Sequence, residues 1–333
     1  MFKKNINTVL VSTITVAVLL AVVAIVAYVS RSSYEQTLAL QQQSMRHIGA
    51  ATHTALNRYM AGHEALVRTL ATQQAILEAF DGQPERARER LREYIKANPD
   101  YRTMFLFDAK GSIIAGYNAE GQDLSGQSRA DRDYVRAIAQ GQDTYFGQEI
   151  LSAKSSGAAD LTFPVVLAVK GAGGVVKGGI GVFPKWEVFT QAFIDPPRFG
   201  TRGYAYMLDA TGKVIAHAMD KNLLLQDFNG SDFIRQTLNQ KNGELFYDWK
   251  GERKYQSFFT DPETGWTLCL NAYVDDLTET ATLQRNILLG IGTGAVLLLA
   301  MIVVVVVNRL VVRPIHNIEA FTSAIALGDF SAE

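Results

Sequence analysis

Two predominantly apolar runs, residues 9–29 and 287–307, stand out against an otherwise mixed chain, and neither contains a charged residue. About 20 residues of helix at ~1.5 Å rise cover the ~30 Å hydrocarbon core of a bilayer. The pattern predicts two membrane-spanning helices flanking a segment of soluble composition, residues 31–285. A cleaved signal peptide is the rival for the first run. Its apolar core would be shorter, and Tyr28-Val-Ser-Arg31 is a poor cleavage context.

Beyond the first run the pattern turns amphipathic. Met45, Ile48, Leu56, Tyr59, Leu66, Leu70, Leu77 and Phe80 recur at spacings that mostly sum to sevens, and no proline interrupts residues 31–83. This predicts one long helix over 31–83, reaching ~75 Å for about 50 residues. A stripe this narrow suits pairing with another helix or docking along a domain. Pairing with a second copy is the expectation. His47, His53 and His63 lie on this helix. Their spacings put no pair on one face, so they read as solvated or packing side chains and not as metal ligands.

The period then changes to that of strands. Residues 101–108 are apolar, a turn follows at Asp108-Ala-Lys-Gly111, and the apolar pattern resumes at Ile113. That is a hairpin signal. It returns 101 residues later, where Asp209-Ala-Thr-Gly212 stands between 205–208 and Ile215-Ala216. A period this long is no solenoid. It predicts two related modules, near 85–195 and 200–275, joined at Asp195-Pro-Pro197, because paired prolines break helix and sheet alike. Further strands are predicted at 143–151, 160–169 and 174–183 in the first module. The second adds 243–249, 254–260 and 265–273, with a helix over 227–239. Short links between consecutive strands favour antiparallel sheets with added helices.

Charge sets orientation. Lys3 and Lys4 precede the first apolar run, and Arg309, Arg313 and His316 follow the second. Lys and Arg near membrane ends favour the cytoplasmic side, so both termini are expected there. Arg31 and Arg285 weaken the signal slightly. The formal net charge is −1, which gives no electrostatic support to nucleic-acid binding. The single cysteine, Cys269, excludes an intramolecular disulfide and reads as a small buried hydrophobe.

Several motifs carry no chemistry. Gly171-Ala-Gly-Gly-Val-Val-Lys-Gly-Gly179 lacks the Gly-Lys-Ser/Thr ending of a phosphate loop and reads as a flexible hairpin. No nucleophile elbow and no metal-ligand spacing occur, and neither a cofactor nor a metal is expected. Gly290-Ile-Gly-Thr-Gly294 in the second apolar run permits close helix approach. After it, Arg313-Pro314-Ile315 opens a pattern in which Ile315, Ile318 and Ile325 keep coiled-coil spacing up to Gly328-Asp329. That stripe needs partner helices, so a longer protein is expected.

Together these features resemble a double-Cache transmembrane receptor of the methyl-accepting chemotaxis type. Gly203-Tyr-Ala-Tyr-Met-Leu-Asp-Ala-Thr-Gly-Lys-Val-Ile resembles the first strand pair of the membrane-proximal Cache module, and Pro262-Glu-Thr-Gly-Trp266 its penultimate hairpin. Ser128-Arg-Ala-Asp-Arg132-Asp-Tyr134, followed by Ala137 and Gly141, resembles the ligand-contacting helix of the distal module. Arg313-Pro-Ile with Gly328-Asp329 resembles the first helix of a HAMP linker.

The resemblance implies an α+β fold: a long amino-terminal helix and two tandem PAS-like antiparallel-sheet modules between two transmembrane helices. The expected organisation is a cytoplasmic start (1–8), a first crossing (9–30), a stalk helix (31–83), a distal module (84–197) and a proximal module (198–278). A linker with the second crossing (279–307) and the start of a HAMP linker (308–333) complete it. It implies a bacterial inner-membrane homodimer that binds a small extracytoplasmic ligand and acts on cytoplasmic signalling proteins, without catalysis in this segment. The alternative is the sensory half of a histidine kinase or diguanylate cyclase.

In amino-acid-binding members of the family the helix carries Arg, an aromatic two positions on, then Tyr. Arg132 and Tyr134 match, but Val135 replaces the next Tyr and Gln127 an upstream one. Ala153 and Gly181 stand near the positions of the carboxylates that grip an ammonium. An Arg that can hold a carboxylate bidentately remains. The expected ligand is therefore a small carboxylate, in a pocket framed by Arg132, Tyr134, Tyr117, Tyr145 and Asp160. The competing reading pairs Arg132 with Asp131 or Asp133 on the surface. Arg313, Pro314, Ile315 and Ile318 are expected to carry the signal inward.

Overall fold

The computed structural model describes residues 6–148, 150–152 and 161–314. Asp160, Ala153, Ile315, Ile318 and the rest of the HAMP-like segment lie outside the described residues. The chain divides into two compact units. One comprises the residues up to Leu40 and from Leu277 onward; the other runs from Gln41 to Asp276.

Helix α1 (Ile6–Ala71) is continuous through the first apolar run and the amphipathic segment. It ends short of the expected residue 83, because Gln73 turns extended (φ −71°, ψ 134°). A separate turn of helix, α2 (Gln74–Ala79), buries Ile76 and Ala79. Next comes α3 (Glu85–Ala97), which the hydrophobic pattern had not isolated. Ala87, Leu91 and Ile95 recur every four residues there and are buried.

The first module then runs through β1 (Tyr101–Asp108), β2 (Ile113–Asn118), α4 (Asp133–Ala139), β3 (Thr144–Phe146), β4 (Leu151–Ser152), β5 (Leu161–Thr162), β6 (Val165–Lys170), β7 (Val176–Pro184) and α5 (Trp186–Phe189). The second holds β8 (Arg198–Phe199), β9 (Gly203–Leu208), β10 (Val214–His217), α6 (Asp232–Gln240), β11 (Asn242–Trp249), β12 (Glu252–Thr260) and β13 (Thr267–Tyr273). A short α7 (Val274–Leu277) leads to α8 (Glu279–Val307), the second apolar run.

Both main sheets are antiparallel, with orders β2-β1-β7-β6-β3 and β10-β9-β13-β12-β11. Strand for strand these are one topology used twice. The repeated turns agree in detail. Asp108 Oδ1 accepts from the backbone N–H of Lys110 and Ser112, both at 2.9 Å. Asp209 Oδ1 accepts from Thr211 and Lys213 at 2.8 and 3.0 Å. Gly111 (φ 83°) and Gly212 (φ 94°) take the left-handed backbone each turn requires. Asp108 therefore closes a hairpin.

The modules meet through two indoles. Trp186 Nε1 in the first module donates to Ile215 O in the second at 2.7 Å. Trp266 Nε1 in the second donates to Gln148 O in the first, also at 2.7 Å. Their rings stand 4.9 Å apart, edge to face.

The stripe on α1 does not wait for a second copy. Met45, Leu56 and Leu70 are buried within this chain. A Cβ on Gly49 would strike the Phe259 ring at 2.2 Å. Arg46 is paired with Glu244 at 3.1 Å. Docking along the domain is the outcome, because the sheets offer that face an apolar surface. In the other unit, α8 approaches the first apolar run at Gly292, where a Cβ would meet Val22 at 2.9 Å; Gly290 and Gly294 face open space.

Candidate functional site

Alternation along the first sheet decides which side chains share a face. Phe105 lies opposite Gly116 on β2 and Gly181 on β7. Val166 also lies opposite Gly181, and Tyr145 opposite Val166. These residues face α4. Phe105, Phe107, Tyr134, Val166 and Phe183 form one buried cluster there, with Tyr145 packed against it. Phe105 and Phe183 stack at 4.7 Å, and Tyr134 meets Phe183 edge-on at 5.5 Å.

Arg132 is the residue before α4, in extended backbone (φ −92°, ψ 141°). Tyr134 follows it into the first turn and is buried. Burial pushes its hydroxyl well above the usual phenol range, opposed by the nearby guanidinium groups of Arg129 and Arg132. Tyr134 and Tyr145 lie 6.4 Å apart, centroid to centroid. The structure thus brings Arg132, Tyr134 and Tyr145 to one place. Of the competing partners, Asp133 is engaged by Arg136 one turn on, and Asp131 lies close to Tyr134.

Tyr117 belongs elsewhere. It lies opposite Met104, one residue out of phase with Phe105, so it points to the sheet face away from α4. Its place in the pocket is corrected for that reason. Arg129, by contrast, was missed by sequence reasoning. Its guanidinium lies over the Phe105 ring at 5.8 Å and bonds Gln127 Oε1 at 3.0 Å. The signal was available in Ser128-Arg-Ala-Asp-Arg132, which spaces two cations three residues apart. Arg129 over the Phe105 ring, Arg132 at the start of α4 and two phenols thus lie near one another, with the Asp131 carboxylate also close to Tyr134.

Among the described residues, two hollows open in this unit away from α4. One, about 510 Å³, is lined by Leu161, Trp186 and Glu187 of the first module and by Ile215 and Lys221 of the second. The other, about 60 Å³, lies in the second module between its sheet and α6. The expected roles of His63 and Cys269 as packing residues hold. His63 Nδ1 is 2.7 Å from Tyr101 Oη, and its ring is edge-on to Tyr59 and Phe163. Burial lowers its pKa to about 4. Cys269 is buried, and its thiol is pushed up to about 12.

Known proteins supply the context for these geometries. Residues 29–281 match the Cache domain family. The methyl-accepting chemotaxis protein McpA of Bacillus subtilis is 24% identical over 249 residues, which is 73% of this chain and 35% of that protein. The chain thus spans about a third of that relative's length. The ligand-binding domain of the Campylobacter jejuni chemoreceptor Tlp3, solved with 4-methylisoleucine, superposes with a TM-score of 0.57 at 15% identity, over 74% of this chain and 94% of that one. An extracellular domain assigned to a histidine kinase, mmHK1S-Z2, gives a TM-score of 0.59 at 16% identity, over 71% and 98%.

Proposed function

The chain belongs to the Cache domain family, and from that premise we propose that it senses a small carboxylate outside the membrane and passes the signal inward. In this reading the first module is the membrane-distal one and carries the binding site, and both termini face the cytoplasm of a bacterial cell. The cluster of Arg129, Arg132, Tyr134 and Tyr145 on the α4 face is the single observation that carries it. Tlp3 was solved with an amino acid. Here Arg129 and Arg132 outnumber Asp131 around Tyr134, and Gly181 offers no ammonium partner on the same face. An anion without an amino group fits that balance better.

Binding can drive output only if it favours one of two receptor conformations. The proposed route is α8, Arg313 and Pro314, and then the HAMP-like residues Ile315 and Ile318, with a helix shift of ~1–2 Å as the mode. The targets are cytoplasmic signalling proteins reached through a longer chain, and no catalysis is assigned to this segment. A second reading, the sensory half of a histidine kinase or diguanylate cyclase, draws on the shared fold with mmHK1S-Z2. The sequence following the HAMP-like segment in the intact gene product distinguishes them.

Calorimetry on the full chain in lipid nanodiscs tests the site. Succinate should bind more tightly than aspartate, its amino-substituted counterpart. Tighter binding of aspartate would overturn the carboxylate reading.

A further inference from the structure

We propose that the second module carries its own binding site, for a monocarboxylate of two or three carbons, in the cavity between its sheet and α6. This does not rest on the distal site. The cavity occupies the place in the second module that the Phe105–Tyr134–Phe183 cluster fills in the first. Instead of interlocking, its rings form walls. Tyr204, Tyr206, Phe233, Tyr247 and Trp249 line it, with Phe233 and Tyr247 stacked at 4.1 Å.

Strand register brings the polar groups together. Lys254 on β12 lies opposite Tyr247 on β11 and Tyr273 on β13. Asn271 lies opposite Gln256 on β12 and Tyr204 on β9. Lys254 and Asn271 are therefore diagonal neighbours on one face, and both line the cavity.

Lys254 is 2% exposed. Its Nζ lies 3.4 Å from Tyr204 Oη and over the rings of Tyr273 and Tyr204, at 4.2 and 5.1 Å. Among the described residues no carboxylate forms an ion pair with it. Glu252, two residues away, is taken by Arg202 at 2.7 Å. A buried ammonium is normally paired, and rings alone do not neutralise it. Burial lowers its pKa to about 8, so it remains largely charged at neutral pH.

Two more groups complete the site. His217 Nδ1 accepts the backbone N–H of Asp220 at 2.9 Å and of Met219 at 3.2 Å. That leaves the proton on Nε2 as a donor on the cavity wall. Asn271 donates through Nδ2 to Tyr247 Oη, while its Oδ1 is buried without a partner. Cation, neutral donor and ring walls together suit a short acid with its carboxylate toward Lys254. At ~10–15 Å³ per water-sized occupant, about 60 Å³ admits roughly four to six nonhydrogen atoms. Acetate and propionate are of that size.

The test uses the full chain in nanodiscs at pH 7, in an Arg132→Ala background that weakens the distal site. Propionate and its neutral isostere propionamide are titrated by calorimetry. Propionate should bind saturably and at least tenfold more tightly than propionamide. Adding Lys254→Met should cost at least tenfold in propionate affinity. Because Lys254→Met could also fail to fold, Trp249 provides a second measurement with Lys254 intact. Propionate should change tryptophan fluorescence, and Trp249→Phe should remove that change. Equal binding of the two probes overturns the proposal. So does undiminished propionate affinity in a folded Lys254→Met variant, or a fluorescence change that survives Trp249→Phe.

Discussion

At the scale of residues, Arg129 and Arg132 should divide the work of anion recognition unequally. Arg129 is held over Phe105 and tied to Gln127, so its position is fixed before ligand arrives. Arg132 stands before α4, where its fork can turn toward a carboxylate beside Tyr134. Replacing Arg132 with Ala should weaken succinate binding by about 1.5–3 kcal/mol, the range for a charge-assisted hydrogen bond. Folding should change little, because Arg132 is only half-buried. Calorimetry beside a thermal melt checks both halves, and unchanged affinity would remove Arg132 from the site. A second residue-scale effect concerns acid stability. His63 titrates near 4 in the folded protein and near 6.5 when unfolded. Between those values the unfolded chain binds more protons, so stability is complete above pH ~6.5 and falls as pH drops toward 4. At ~1.4 kcal/mol per pH unit, His63 alone accounts for up to about 3 kcal/mol. His217, also lowered to about 4, adds to the slope. Thermal midpoints from pH 7 to 4.5 should decline steeply, and His63→Gln should flatten the decline. Superimposable profiles would show that His63 binds protons alike in the folded and unfolded chain.

At the scale of elements, the exchanged indoles bind the modules together. Trp266→Phe keeps most of the ring but leaves Gln148 O without its donor. Gln148 is exposed, so that loss should be small, whereas Trp186→Phe leaves the buried Ile215 O unpaired, at about 1–3 kcal/mol. Chemical unfolding of the full chain measures both, and a loss below measurement error for Trp186→Phe would show that water replaces the indole. These hydrogen bonds link residues 29 and 118 apart in sequence, and no local pattern announced them. What sequence did announce was local. Asp108 and Gly111, like Asp209 and Gly212, specify their turns through their own side-chain oxygen and positive φ, so the repeat was legible at once. The α1 stripe was legible as a covered face but not in what covers it, since periodicity fixes a surface and not its partner. Tyr117 was misplaced because face depends on strand register, which a one-residue slip inverts. Lys254 went unnoticed for a related reason. It shares a face with Gln256 and Phe258, so this side of β12, buried like the other, carries two polar residues and mimics a solvated edge.

At the scale of the whole molecule, the buried stripe changes what a dimer can use. Met45 and Leu56 are occupied by the chain's own module and are closed to a second copy. The exposed row on the same helix is Gln43, His47, Ala50, Thr54, Asn57 and Ala61. Its spacing alternates four and three, the seam of a parallel helix pair. Its composition is polar and small, which gives a weak contact that two copies could adjust without unfolding either module. If the receptor pairs along α1, single cysteines on this row should crosslink between copies in intact membranes. Met45 and Leu56 replaced by cysteine should remain unlinked, although each lies within two residues of that row. Ligand should then alter the crosslinking rate along the row, because any differential binding between two conformations must move the contact that distinguishes them. Crosslinks at Met45 and Leu56 instead would mean that α1 leaves its own module in the membrane-bound receptor. A row without crosslinks anywhere would move the dimer contact off α1 altogether.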